Sequence, residues 1–599
     1  MNNPQMKSLP QPRRSPAASI GAALTALAAT AVLLAGCATM PLSGPVHVGG
    51  EDVVTDDSVG IIAQGPQNDA TPEEIVRGFM LAAQAGPTSV QPFAVAQEYL
   101  TASTGRTWRP YARVLLVDGG YTISVQPGVG EATVTASGQV IAALDERGAF
   151  AAKPAPASTT LTFRLISVGG QWRIDQLDDG LIIPAEVFTS AYHRTRLYFP
   201  TVDGQAWVPD VRWFPQQTWR TNAVAELLAG PPSWLVGVAR TAAPSGARLA
   251  MESVTIGPDD TYQVILTEEV AAASGSDRAM LAAQIEATLN AGQGQARDVT
   301  LTIPEGPLPV PEAWVPPSIR AQGAAIALRD GGVWMVSGRE LVPFDVNVTL
   351  TGLNPTALAV GYGDNPLLVV RDGEDQIVRL SDGEVLLSAD GGAVIPPSVD
   401  RFGVVWSGTA DGGVNVVLRS GGKYAVSAPW LDGRTLMGVR ISPEGARAAV
   451  VSGGDDGVSI HVAGVVRGAG GVPTALGAPM AVGISLHGVT QAVWQDDTVL
   501  AAIADVGSSS DEGPSGAQAV EGNDLGVNRG VFLVGIGGLE SPGGMPRHLA
   551  GVVDPTAVTA SVGSANTLAL DARGLLHLRQ SVALWPVVGQ HVDLVAYPG

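Results

Sequence analysis

Pro397-Ser398-Val399-Asp400-Arg401-Phe402-Gly403-Val404-Val405 returns in outline as Ser442-Pro443-Glu444-Gly445-Ala446-Arg447-Ala448-Ala449-Val450, and before both stands Asn354-Pro355-Thr356-Ala357-Leu358-Ala359-Val360. Fainter copies cover 490–501 and 554–570. Successive copies lie roughly 40 to 50 residues apart, the period of a propeller blade of four strands. Between them, apolar runs alternate with turns such as Arg329-Asp330-Gly331-Gly332, Arg371-Asp372-Gly373 and Ser381-Asp382-Gly383, and no convincing amphipathic helix intervenes. Residues 319–599 are therefore expected to form an all-β propeller, and about 280 residues at that period make about six blades. The segment 506–528, rich in Ser, Gly and acids, breaks the spacing and is expected to be an exposed loop inserted in a blade.

Upstream of a proline-rich linker at 305–318, the pattern changes to mixed helix and strand. In 196–304, Trp207-Val208-Pro209-Asp210-Val211-Arg212-Trp213-Phe214 precedes a helix expected over 222–229 and stopped by Gly230-Pro231-Pro232. Strands at 252–256 and 262–266, a helix at 278–290 with Met280, Leu281, Ile285 and Leu289 along one side, and a strand at 298–303 complete an α+β domain. A first α+β domain is expected at 71–190. Thr71-Pro72-Glu73-Glu74 offers an N-cap, a proline at the first helical position and a glutamate placed to close a capping box. Ile75, Val76, Phe79, Ala82 and Ala83 follow at helical spacing. A second helical piece is expected around 95–100, and short strands at 114–117, 121–125, 131–136, 159–168 and 172–177 supply a sheet. The fold class read from the chain is thus multidomain, two α+β domains followed by an all-β propeller.

Before residue 71 the chain reads as an export signal and a tether. Lys7, Arg13 and Arg14 precede an apolar run over 17–34, which is shorter than the roughly 20 residues of a membrane span. It ends in Leu34-Ala35-Gly36-Cys37, which resembles a bacterial lipobox: cleavage is expected between Gly36 and Cys37, with S-diacylglyceryl and N-palmitoyl groups on Cys37. Arg13-Arg14-Ser15-Pro16 lacks the apolar residues that follow a twin-arginine pair, which favours the general export route. Residues 1–36 are then a signal peptide, and 37–70, with glycines, prolines and no sustained periodicity, a flexible tether. Cys37 is the only cysteine, so disulfides within the chain and thiolate metal clusters are excluded. The expected location is the extracytoplasmic face of the cell membrane, held by lipid.

The net charge of -21 argues against nucleic acid as a partner, because nothing neutralises phosphates. No GxSxG elbow, HExxH, Walker-type loop or GxGxxG after a strand is present, so no catalytic residue, cofactor or metal is assigned and the chain reads as a non-enzyme. The seven histidines, His47, His193, His461, His487, His548, His577 and His591, are scattered singly and read as surface or core residues. Asp511, Glu512, Glu521, Asn523 and Asp524 could supply oxygen ligands to calcium but lack the alternation of a calcium loop, so they read as a solvated loop. Trp207, Trp213, Phe214, Trp219 and Trp234 read as core or as a contact between domains, with a recognition surface as the alternative.

In this order the chain resembles the actinobacterial lipoprotein LpqB family. The stretches that carry the resemblance begin with Met40-Pro41-Leu42-Ser43-Gly44-Pro45-Val46, Glu73-Glu74-Ile75-Val76-Arg77-Gly78-Phe79, and Gln97-Glu98-Tyr99-Leu100-Thr101 with Trp108 and Pro110. Trp172-Arg173-Ile174, Gly180-Leu181, the segment 207–214, Glu226-Leu227-Leu228-Ala229-Gly230-Pro231 and Ala283-Gln284-Ile285-Glu286-Ala287-Thr288-Leu289 continue it. The resemblance implies a GerMN-type domain at 196–304 and a C-terminal propeller. It also implies a partner, the extracellular domain of a sensor histidine kinase of the MtrB type in MtrA/MtrB signalling tied to cell-envelope homeostasis and division. The family has no catalytic set to carry over. Departures are Gln97, where an arginine often precedes Glu-Tyr-Leu, and the inserted segment 506–528. The alternative kept beside this reading is a propeller enzyme or carrier acting on or binding cell-wall glycan or peptide.

Overall fold

Thr71 and Glu74 close the helix start from both sides: the Glu74 N–H donates to Thr71 Oγ1, and the Thr71 N–H to Glu74 Oε2 at 2.8 Å. Helix α1 (Pro72–Ala85) then buries Ile75, Val76, Phe79, Met80, Ala82 and Ala83. The computed structural model describes residues 63–599 except 312–313, 315–322, 349, 390–391, 412, 508–528 and 562–566. Strands β1 (Arg113–Pro127), β2 (Glu131–Asp145), β3 (Phe150–Val168), β4 (Gln171–Gln176) and β5 (Leu181–Pro184) make one sheet in the order β4-β3-β2-β1-β5, antiparallel except that β5 runs parallel to β1. The helix lies against it, with the Phe79 ring 5.2 Å from Trp108 and 6.0 Å from Phe163.

Two expectations change here. The strands expected at 114–117 and 121–125 are one strand, because Asp118-Gly119-Gly120 is absorbed as a shift of register between Asp118 and Thr122 rather than spent on a turn. The helical piece expected at 95–100 is split into Ala94–Gln97 and Ala102–Thr107, the second capped by Thr101. A short helix, α2 (Ala185–Ala191), links the sheet to the next region and buries Phe188.

The second region opens with a hairpin, β6 (Tyr192–Pro200) and β7 (Trp207–Pro215), which forms its own two-stranded sheet. Helix α3 (Trp219–Ala229) starts three residues before the expected Asn222. Strand β8 (Thr255–Ile256) is two residues long, β9 is Tyr262–Ile265, and helix α4 (Gly275–Asn290) is capped by Ser274. Strand β10 (Val299–Ile303) runs parallel to β9. The segment expected to be linker contributes β11 (Gly306–Pro307), which pairs with Ile303 and Thr302, and buries Leu308.

From 323 onward the described strands fall into six successive antiparallel sheets, 326–343, 355–388, 398–426, 435–482, 491–549 and 555–589, in chain order except that 480–482 of the fourth pairs with 457–467 rather than with 473–476. The closing strand Leu594–Ala596 pairs with Ile326–Arg329 of the first sheet, so both ends of the region meet in one ladder. Both faces of each sheet are covered. Ile326 and Leu328 pack on the second sheet, while Ala325 and Ala327 pack on the sixth, as the two-residue alternation of a strand requires. Apolar clusters likewise join the second sheet to the third, the third to the fourth, the fourth to the fifth and the fifth to the sixth. A closed, propeller-like ring follows from that circuit. The fifth sheet pairs Asp505 with Arg529 on either side of the inserted segment, whose residues 508–528 lie outside the described ones.

The cluster between the fourth and fifth sheets does not stop at the ring. It continues into the second region through Leu197, Phe199, Val208, Trp219, Leu227, Trp234 and Tyr262, so one apolar core serves both. Polar contacts frame it: Tyr198 Oη donates to Asp497 Oδ2 at 2.8 Å and Arg194 Nε to the Gly538 carbonyl at 2.9 Å.

Candidate functional site

The strands that line the ring's axis leave a cavity of about 50 Å³, bordered by Leu358, Tyr362, Arg440, Trp494, Thr559 and Tyr597 among others. That holds a few waters, well short of the roughly 300 Å³ at which small-molecule sites begin. Arg440 is spent on structure, donating to the carbonyls of Pro396, at 3.4 Å, and Pro397, at 3.0 Å. Burial brings its guanidinium down to about 10. Trp494 Nε1 donates back to the Arg440 carbonyl at 2.9 Å. No Asp or Glu side chain is among the residues that line this cavity.

A larger pocket of about 310 Å³ lies between the second region and the ring, where the 201–206 turn and Gly237-Val238 face the turns of the third and fourth sheets. Its floor is built on Asp400, whose carboxylate is fully buried yet accepts from the Phe402 and Val404 N–H groups, Trp406 Nε1 and Arg467 Nη2. Those four donors fold residues 400–404 into a tight turn and push Phe402 outward, 46% exposed. The Arg467 guanidinium lies 4.5 Å from the Phe402 ring centroid and that of Arg401 5.1 Å from it. Gly445, at φ 77°, makes room for this ring, since a Cβ there would collide with it. Glu444, on the same wall, accepts from Ser442 Oγ and from Arg447 Nε at 2.6 Å.

The residues singled out in the sequence are dispersed. Trp213, Phe214, Trp219 and Trp234 are buried, and Trp207 meets Trp314 edge-on at 4.8 Å, so this aromatic group is core and contact between regions. His193 stacks on Trp219, and burial with Arg220 nearby lowers it to about 4. His577 lies 3.2 Å from Asp571; although burial opposes it, bonds from the Leu575 N–H, Arg573 and His577 bring that carboxyl down to about 2. His461 is partly buried beside Trp430 and His548 is exposed beside Phe532, and the desolvation each ring does undergo lowers both. Among the described residues no group of three His, Cys, Asp or Glu could hold a metal ion. Cys37, His47 and the acids Asp511, Glu512, Glu521 and Asp524 with Asn523 lie outside the described residues.

Sequence reading did not single out Arg401, Phe402, Arg467 or Asp203. One signal was there. Among the repeat copies, Asp400-Arg401-Phe402-Gly403 carries an aromatic at a turn position where Ser442-Pro443-Glu444-Gly445 carries only polar or small residues and a proline.

Among the described residues no helix is long and apolar enough to cross a membrane. Three family models match in succession: the lipoprotein LpqB N-terminal domain at 65–189, the sporulation and spore germination domain at 196–308, and the lipoprotein LpqB beta-propeller domain at 331–525. Lipoprotein LpqB of Bifidobacterium longum is 28% identical over 474 residues, covering 74% of this chain and 79% of that one. Its counterpart in Streptomyces coelicolor is 28% identical over 513 residues, 77% of this chain and 82% of that one. The Cutibacterium acnes lipoprotein LpqB is 30% identical over 291 residues, 48% and 47% of the two chains. Among solved structures, the tandem GerMN domains of Bacillus subtilis GerM match with a TM-score of 0.17 and 19% identity, over 32% of this chain and 62% of that one, a score too low to compare architectures. With all three regions matched in order and the Bifidobacterium and Streptomyces relatives aligned over most of their length, the chain belongs to the LpqB family of lipoproteins.

Proposed function

We propose that this lipoprotein is anchored by lipid on Cys37 to the extracytoplasmic face of the cell membrane, where it binds and modulates the extracellular domain of an MtrB-type sensor histidine kinase. The observation that supports binding rather than turnover is the axial cavity, about 50 Å³ in volume, lined without an Asp or Glu side chain and occupied by the structural bonds of Arg440 and Trp494. A glycan- or peptide-cleaving propeller would place paired acids at such a mouth. The kinase itself comes from the family resemblance, and the anchor from Leu34-Ala35-Gly36-Cys37.

Regulation requires the lipoprotein to bind the kinase's signalling states with different affinity, since equal affinity shifts no population. The test joins anchor and regulation. Cys37→Ala is expected to release the protein from the membrane and to abolish its effect on kinase phosphorylation together. Recovery of the kinase by pull-down from detergent-solubilised envelopes is expected with the lipidated chain. Unchanged phosphorylation output on deletion of the gene would remove the regulatory reading, and regulation by the soluble Cys37→Ala form would remove the anchor from it.

A further inference from the structure

We propose that the pocket between the second region and the ring is a binding site for a small zwitterion, a free short peptide whose carboxylate meets Arg401 and whose ammonium meets Asp203. Four charged side chains line this pocket, Asp203, Arg401, Glu444 and Arg467. Two are already neutralised, Arg467 by Asp400 at 2.9 Å and Glu444 by Arg447 at 2.6 Å. Arg401 has no carboxylate partner among the described residues, and its Nη1 is buried without an acceptor. An uncompensated guanidinium in a partly enclosed site is costly, and a carboxylate is the group that its fork geometry matches. Asp203 is held in place by Thr201 Oγ1 at 2.6 Å and the Gln205 N–H at 3.1 Å, which orient its carboxylate without supplying a cation.

Apolar side chains complete much of the remaining lining, and two of them are exposed. Phe402 at 46% and Val202 at 58% are among the exposed large hydrophobic side chains of the chain, and both line this pocket, with buried Val238 beside them. One cation, one anion and an apolar wall in about 310 Å³ are the complement of an amino acid or dipeptide with free ends. The same chemistry is presented by an L,L-dipeptide from protein and by a D,D-dipeptide from wall material. This inference does not rest on the kinase reading, since the pocket belongs to the chain alone.

Isothermal titration of the full-length protein in detergent micelles with Ala-Ala, in L,L and D,D forms, tests it. Saturable binding of either form is expected, and the preferred one identifies the source. Amidating the dipeptide C-terminus should weaken binding about tenfold or more in the parent protein but not in Arg401→Gln, and acetylating its N-terminus should do so in the parent but not in Asp203→Asn. Acetylation should still weaken binding in Arg401→Gln, and amidation in Asp203→Asn, a pattern that a variant which has lost its fold cannot imitate. The proposal is overturned if neither dipeptide binds saturably at about 10 mM, or if blocked and free peptides bind alike.

Discussion

The environment of a side chain, more than its type, decides its chemistry, and His193 shows the sign of the effect. Its ring lies flat on Trp219 at 4.0 Å between centroids, with Nδ1 2.9 Å from Thr195 Oγ1. Burial, aided by Arg220, holds its pKa near 4, against about 6.5 in an unfolded chain. Between these values the unfolded chain takes up a proton that the folded one refuses. Stability is therefore full above about pH 6.5 and falls as the pH drops toward 4, by about 3 kcal/mol in all. His193→Phe keeps a ring on Trp219 and should flatten the denaturation midpoint across that window. An unchanged pH slope in the variant would show that other groups set it. Asp400 teaches the complementary lesson: a fully buried carboxylate with four donors reads in sequence as an ordinary turn aspartate, because its donors Trp406 and Arg467 lie at separations that no local pattern reveals.

At the scale of elements, what was legible is what is local. Helix α1 was readable because its cap, its proline and its apolar face all fall within 14 residues, and each keeps its role in the structure. Strand β1 was misread because Asp118-Gly119-Gly120 has the composition of a turn while the ladder to β2 resumes beyond it. The strand Gly306–Pro307 was hidden by the prolines around it, which an edge position tolerates. In the ring, runs such as Val499–Asp505 are buried on both faces and show no alternation, so β character was clear while the facing of each residue was not. The closing strand was invisible as a partner of Ile326–Arg329, since nothing at residue 594 points back to residue 326. It offers a sharp test. Val595 is buried at the seam between the sixth and first sheets, and Val595→Asp should cost about 3–5 kcal/mol in chemical denaturation. Val587→Asp, at a side chain 44% exposed in the neighbouring sheet, should cost less than about 0.5 kcal/mol. Equal losses would mean that the seam does not hold the ring.

Across the whole molecule, the described residues cluster as one compact unit, and Trp213 shows how three regions become one body. It belongs to the hairpin of the second region, its indole is buried in the core of the first, its backbone N–H donates to the Gly148 carbonyl, and its Nε1 donates to Gly537 of the ring at 2.7 Å. Trp213→Ala should cost about 3–5 kcal/mol and speed proteolysis in 184–192, read by mass spectrometry of the fragments; unchanged cleavage would place the coupling elsewhere. The peptide pocket has the same origin in the whole, since Asp203 and Arg401 come from different regions and only their docking brings them to one pocket. The closing strand also sets a timetable. A chain is made from its N-terminus, so the sheet begun at 326 stays one strand short until residues 594–596 emerge, and its apolar seam to the sixth sheet stays open through the synthesis of the five sheets between. The first sheet to be started is thus among the last to be finished, and throughout that interval the nascent ring is at its most vulnerable to aggregation and most in need of a chaperone.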